Sequence, residues 1–309
     1  MVPLKTAPQD IVLFHVGGSM GNYGPIDAVI NKFPQNCVVV GFEAREEECD
    51  QAVDSHLSPL GVRLHFVNAF IGEHDGTTQE FRINKHPESS SGLPPNPEVF
   101  DEICPVPYQD DLPTWGVNTE LDRKEFFTTR SLDKIIGELG IIPDVLSIDA
   151  QGLEWSILKG AGDSLEKISA LVTEVEFFEV YSGQGLYSDQ AALLSKFGFR
   201  LGDLLNTQSW FPRVKSGRGL LTVAEAIWFK RVDSFFLGIN RDTHFILKGI
   251  KFAAVAYSLE FYSVAYVLLE RLISIYGNEV TASCNEFGYG ILLEMFEKIK
   301  HLDIQKKKI

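Results

Sequence analysis

Residues 144–161 read Asp-Val-Leu-Ser-Ile-Asp-Ala-Gln-Gly-Leu-Glu-Trp-Ser-Ile-Leu-Lys-Gly-Ala, and the fold is decided there. Val145, Leu146 and Ile148 form the short apolar run of a strand buried on both faces. The run stops on a carboxylate, Asp149. Gly152 follows, and Leu153, Ile157 and Leu158 then recur at helical spacing, with Gly160 expected to end the turn as a C-cap glycine. A buried strand that delivers an acid to its carboxyl end, then a glycine and a helix, is how open α/β sheets build a ligand crevice. An apolar strand gains no stability from such an acid. The plainer use of Asp149 would be to cap the next turn.

Upstream, the same order of elements repeats. Ile11–Val16 is a strand followed by Gly17-Gly18-Ser-Met-Gly21, and a helix over 25–33 puts Ile26, Val29, Ile30 and Phe33 on one face. A second strand, Val38–Phe42, ends on Glu43. Residues 46–57 read as a helix, and a third strand, Leu64–Val67, ends in Asn68 and Ala69. This is one half of a doubly wound sheet. A β segment over 79–83 precedes a proline-rich, irregular stretch over 84–129, expected to be a substrate-facing insertion. Ser131 stands at the N-cap of a helix whose Leu132, Ile135, Ile136 and Leu139 share a face, and Gly140 stops it.

Downstream come a strand at Ala170–Phe177, a helix at Ser188–Phe197, and a closing strand pair at Phe199–Asp203 and Glu225–Lys230. A loop with Trp210, Arg213, Lys215 and Arg218 joins that pair. From residue 232 the pattern is purely helical, with candidates over 245–257, 259–276 and 287–301. Residues 1–231 are therefore expected to form the crevice-bearing domain. Residues 232–309 are expected to form a helical region for packing, partner contact or homo-oligomer formation.

Hydrophobic and charged contents of 45% and 23% are those of an ordinary globular protein, but the formal net charge is -14. The acidic excess falls on residues 1–230. An acidic body excludes broad nucleic-acid binding, which needs Lys and Arg on phosphates. Cys37, Cys49, Cys104 and Cys284 are scattered without a CxxC pair. They predict free thiols in a reducing, cytoplasmic setting and no zinc or other metal site. No apolar run precedes the first strand, so no signal peptide is expected. The longest apolar stretch, 252–269, holds Glu260 at its centre, which argues against a membrane span.

Glycines after the first strand let a ligand approach the backbone, and an acid ending the second strand can accept both hydroxyls of a ribose. Dinucleotides and S-adenosylmethionine share this arrangement. The dinucleotide pattern G-x-G-x-x-G would need glycine at 17, 19 and 22 or at 18, 20 and 23, and neither holds. A nicotinamide oxidoreductase is disfavoured on that ground.

The stretch 144–161 resembles the signature of FkbM-type methyltransferases, a strand ending Ile-Asp-Val-Glu-Gly-x-Glu followed by Val-Leu-Lys-Gly-Ala. The likeness extends to Ser131-Leu-Asp-Lys-Ile, to Asn68-Ala-Phe-Ile-Gly with Asp75-Gly-Thr, to Glu174–Gln184 and to 193–204. It implies a class I methyltransferase fold, Rossmann-like: a seven-stranded sheet with a reversed final strand and helices on both faces, here with the helical appendage outside the likeness. By position it implies S-adenosylmethionine held by His15, Gly17, Gly18, Gly21, Glu43, Ala44, Asn68, Ala69 and Asp149. Gly17, Gly18 and Gly21 would shape the methionine and ribose pocket, Glu43 would take the ribose, and Asp149 would face the sulfonium. Two positions depart from the family: His15 and Gln151 stand where an acid and a glutamate are usual.

The implied activity is O-methylation of a hydroxyl on a small molecule or glycan. Asp149, Glu154, Glu174 and Glu176 are the candidate bases at this sheet edge, the first three leading, and the plainer reading of Glu176 is a surface residue of the same strand. The alternative is a non-catalytic scaffold of the same fold that binds partners through its helical tail, motivated by His15 and Gln151.

Overall fold

The computed structural model describes residues 3–17, 23–45, 60–103, 114–214, 216–237 and 243–306. The helix expected over 46–57, together with Gly18, Gly21 and Lys215, lies outside them.

A seven-stranded sheet forms the centre. In spatial order it runs β3 (Arg63–Asn68), β2 (Cys37–Glu43), β1 (Ile11–Gly17), β7 (Val145–Asp149), β8 (Ala170–Glu176), β10 (Leu220–Lys230) and β9 (Phe199–Trp210). Strands β3, β2, β1, β7 and β8 are parallel, and β10 is antiparallel to both neighbours. This is the class I methyltransferase arrangement, Rossmann-like with one reversed strand.

Alternation of side chains sorts the strands between two cores. Ile11, Leu13, Val39, Val145, Val172, Ile227 and Phe229 face one layer, where α1 (Asp27–Lys32) lies. Val12, Phe14, Val38, Val40, Leu146, Ile148, Leu171 and Trp228 face the other, against α4 (Leu132–Leu139), α5 (Glu154–Ala161) and α6 (Tyr187–Lys196).

The C-terminal helices complete the first layer. They are α7 (Val232–Phe236), α8 (Thr243–Ser258), α9 (Tyr262–Tyr276), α10 (Asn278–Glu286) and α11 (Gly290–Lys306). Ile250, Phe252, Ala253, Ala256, Leu268 and Leu272 join the sheet residues in one continuous apolar cluster. Lys251 anchors α8: its Nζ donates to Asp144 Oδ2 (2.9 Å) and to the Asp10 carbonyl (3.0 Å), and both side chains of this ion pair are nearly enclosed. No described helix is long and apolar enough to cross a membrane.

Several local readings are corrected. Part of 84–129 is regular: β6 (Leu121–Arg130) pairs antiparallel with β5 (Thr78–Asn84) and parallel with β4 (Phe70–Ile71) in a separate sheet. Charges such as Lys124, which reaches Glu80 across the ladder at 2.9 Å, hide the alternation that Phe70, Phe81 and Phe127 reveal by packing together. The rest of the insertion includes the short helices α2 (Pro97–Ile103) and α3 (Trp115–Asn118).

Strands β9 and β10 run on to Trp210 and back from Leu220, so the loop is shorter than expected; its polar Asn206-Thr-Gln-Ser209 looked like loop because that face is exposed. The polar helix α10 was missed for the same reason. Ser131 does stand before α4, but its hydroxyl donates to Asp75 Oδ2 (2.9 Å) instead of capping the helix.

Gly160 is no cap. It lies inside α5, which ends at Ala161 with Gly162 at φ 49° as its cap. A Cβ at Gly160 would sit 2.2 Å from the Gly72 carbonyl oxygen, so the glycine is there for close packing of helix on backbone. Alanine at 160 should therefore destabilise the protein by about 1–3 kcal/mol despite its better helix propensity. Gly137→Ala, at an exposed α4 position where a Cβ meets nothing within 4 Å, should stabilise it by about 0.5–1 kcal/mol. Urea melts of the two variants check the contrast, and equal shifts would refute the packing role.

Candidate active site

The carboxyl ends of β1, β2, β7 and β8 lie side by side, and the residues singled out in the sequence end those strands. Gly17 is the register partner of Asp149. It has φ 77°, and a Cβ there would lie 2.0 Å from the Asp149 carbonyl oxygen. Only glycine allows the two strand ends to close in this way.

Glu43 ends β2 opposite Asn68. Its Oε1 accepts the Ala44 N–H (2.8 Å), while burial raises the carboxyl pKa. The Asn68 amide donates to the carbonyls of Glu43 (3.2 Å) and Ala44 (3.0 Å), and the Ala69 N–H donates to the Glu43 carbonyl (2.9 Å). Ala44, Asn68 and Ala69 thus hold the turn that presents Glu43.

His15 is 2% exposed. Its Nδ1 lies 3.1 Å from Ser147 Oγ, its ring meets Tyr23 edge-on, and its Nε2 has no hydrogen-bond partner. Burial pushes its pKa down to about 4, so the ring is neutral near pH 7. His15, Tyr23, Ser147, Asp149, Glu174 and Glu225 line a cavity of about 30 Å³.

Asp149, Glu154 and Glu174 converge from β7, α5 and β8, each offering an oxygen within 4.8 Å of the others. Gln151 bridges two of them. Its backbone is left-handed at φ 49°, and its Nε2 donates to Asp149 Oδ1 and to Glu174 Oε2, both at 3.1 Å. The amide is oriented by Tyr181, whose hydroxyl donates to Gln151 Oε1 (3.2 Å) and to the Ser89 carbonyl (3.0 Å). Ser91 Oγ donates to the Gln151 carbonyl (2.5 Å), so the insertion is docked onto this corner. Trp115, Tyr181 and Trp210 pack over it.

Glu154 is wholly enclosed; its Oε1 accepts the Ala150 N–H (2.6 Å) and its Oε2 has no partner. Burial, chiefly, lifts its pKa to about 7. Burial and then the Asp149 charge raise Glu174 well above the usual range, and burial raises Asp149 against the Gln151 hydrogen bond.

The expectation of Glu176 as a surface residue is corrected: it is 2% exposed, and burial with the nearby acids raises it too. Glu225, raised by burial, and Tyr181 were not singled out as site residues. A glutamate within the otherwise apolar 223–229 run was the available signal for Glu225. Nothing local marks Tyr181, since the insertion brings its partners.

His15 makes stability pH-dependent in a defined direction. Its folded pKa of about 4 lies below the ordinary 6.5, so its contribution is complete above 6.5 and is lost as pH falls towards 4. Relative to His15→Gln, the wild type should lose up to about 3 kcal/mol over that interval, the carboxylates cancelling in the difference. Chemical denaturation of both proteins at matched pH values measures it, and parallel curves would contradict the assignment.

The family model described as the methyltransferase FkbM domain matches residues 15–201. No curated protein matches the chain in sequence. Among solved structures, magnesium protoporphyrin IX methyltransferase from Synechocystis, with bound SAM, is 11% identical over 72% of this chain and 71% of that one, at a TM-score of 0.36. Precorrin-6y C5,15-methyltransferase from Geobacter metallireducens is 12% identical over 72% and 80%, at 0.32. An O-methyltransferase family 2 protein from Planctomyces limnophilus, in complex with apigenin, is 11% identical over 74% and 53%, at 0.33. Likenesses this loose add nothing to the topology already described. The family match takes in the carboxyl ends of β1, β2, β7 and β8, and the chain belongs to the FkbM methyltransferase family.

Proposed function

We propose that the protein transfers a methyl group from S-adenosylmethionine to a hydroxyl of a small molecule or sugar. The observation that carries this reading is the meeting of Gly17, Glu43 and Asp149 at three adjacent strand ends. The donor set fits the cofactor: a turn that admits only glycine, an acid at the ribose position, and a carboxylate-rich corner suited to a cation. When bound, S-adenosylmethionine supplies a methyl group on a sulfonium with a neutral thioether as leaving group.

The residues around that site have separable tasks in this reading. Gly17 keeps a side chain out of the nucleoside's path. Glu43 accepts ribose hydroxyls, presented by the turn that Ala44, Asn68 and Ala69 brace. Asp149 lies next to the cationic centre. His15, neutral and enclosed, shapes the floor without adding charge.

Glu174 is the leading base. An alcohol has to lose its proton beside the enzyme as it attacks, and a carboxylate made more basic by burial and by the Asp149 charge is a stronger acceptor for it. Glu154 is the second candidate, although its hydrogen bond to the Ala150 N–H also shapes the β7–α5 turn. By giving one N–H to each of Asp149 and Glu174, the Gln151 amide holds two like charges in a fixed relation. Holding methyl donor and acceptor in line can supply roughly 7–11 kcal/mol of barrier lowering, and a placed base roughly 10²–10⁴-fold in rate.

Calorimetric titration with S-adenosylhomocysteine should give saturable binding, and none at millimolar ligand would overturn the reading. Glu43→Gln should weaken that binding by about 10- to 100-fold, the equivalent of losing a charged hydrogen bond. Glu174→Gln should bind normally but transfer methyl roughly 10²–10⁴-fold more slowly. Normal cofactor binding by the wild type, without turnover on any hydroxyl acceptor, would instead favour the scaffold.

A further inference from the structure

We infer that Asp149, Glu154 and Glu174 form a binding site for a hard divalent cation at the corner of β7, α5 and β8. The three carboxylates come from three different elements, yet each offers an oxygen within 4.8 Å of the other two. Oxygens on opposite sides of a calcium ion lie about 4.6–5.2 Å apart, and on opposite sides of magnesium about 4.0–4.2 Å. Separations within 4.8 Å are compatible with calcium, magnesium or manganese between the three oxygens.

Two further observations point to a ligand. Glu154 Oε2 is sealed from solvent with no hydrogen-bond donor, although its sister oxygen is satisfied by the Ala150 N–H. The enclosed His15 Nε2 is likewise unpartnered, and His15 lines the small cavity together with Asp149 and Glu174. That cavity, about 30 Å³ of polar space beside two of the three carboxylates, accommodates an ion or a water, and Glu154 approaches the same two acids from outside its lining.

Charge balance favours the ion. Glu176 and Glu225 flank the three ligands, and Glu176 Oε2 is another buried oxygen without a partner. Among the described residues no Lys or Arg forms an ion pair with any of the five. Carboxylates without a counter-charge are costly to enclose; Asn206 donates to Glu225, and Gln151 takes a single oxygen each from Asp149 and Glu174. Each of these two carboxylates keeps a second oxygen that Gln151 does not take. Asp149 and Glu174 are only half-buried, so the ion enters from solvent and keeps positions open for outside oxygens. On the methyl-transfer reading one of those oxygens is the acceptor hydroxyl; the binding of the ion does not depend on that reading.

The test uses the full chain, dialysed against chelator and free of nucleoside. Titration with MnCl2, followed by electron paramagnetic resonance, and with MgCl2 and CaCl2, followed by calorimetry and thermal melting, should reveal one site. It should saturate at or below about 1 mM with a rise in melting temperature. Glu154→Gln and Asp149→Asn should each weaken the site at least about tenfold, a loss of roughly 1.4 kcal/mol, whereas Glu294→Gln, on the exposed side of α11, should bind as the wild type does.

Absence of saturation would overturn the proposal, as would equal affinity in all four proteins, which would mark diffuse counterion binding. Should Glu154→Gln fail to fold, the half-buried Asp149 variant and Glu174→Gln still decide the matter. A parallel titration with S-adenosylhomocysteine separates the two ideas. Nucleoside binding without a cation site sinks only the cation, and a cation site without nucleoside binding sinks only the methyl-donor reading.

Discussion

Keeping several carboxylates out of water at one end of a sheet is the constraint on which this structure turns. Burial raises the pKa of Asp149, Glu154, Glu174, Glu176 and Glu225, and the Asp149 charge raises the other four further; among the described residues no lysine or arginine forms an ion pair with any of them. Much of the surrounding architecture is what such an arrangement requires. Gln151 accepts a left-handed backbone so that its amide can serve two acids, and Tyr181 fixes which end of that amide faces them. The Ala150 N–H turns back to Glu154. The cost of holding these groups charged and uncompensated is several kcal/mol in general terms, which protonation or a cationic ligand offsets.

A sheet buried on both faces supports this edge. Its parallel strands alternate between two apolar layers, so neither face can be left bare. The C-terminal helices cover much of one face. Their attachment is polar as well as apolar: Lys251 reaches Asp144 and the Asp10 carbonyl, and Tyr289 donates to the Gln9 carbonyl (2.6 Å). These anchors sit near the amino ends of β1 and β7, at the opposite end of the sheet from the acids. We propose that residues 232–309 serve the domain over 1–231 first as a packing layer, whatever partner contacts they also make.

The insertion shows why chemistry and topology were not equally readable. Asp149, Glu43 and Gly17 each follow a short apolar run, and an abrupt acid or glycine after such a run is visible without any structure. Tyr181, Ser89 and Ser91 meet Gln151 across wide separations in sequence, through contacts that no local pattern encodes. The β6 strand was hidden by the charges on its open face, and α10 by its polarity. Gly160 misled in an instructive way: a glycine at the end of a helical pattern looks like a cap, but here the absence of a Cβ serves the approach of another backbone.

By itself the sequence determined the α/β class of fold, because that follows from runs of apolar residues and their punctuation, both local properties of the chain; the family and its seven-stranded sheet came from the resemblance of the motif over 144–161. Tertiary structure alone decided how the acids are shared out. Whether Glu176 is surface or buried, whether Gln151 faces one carboxylate or two, and whether Glu225 joins them depend on how neighbouring strands and the insertion enclose that corner. Desolvation is a property of the assembled site, and the charge state of these groups follows from it.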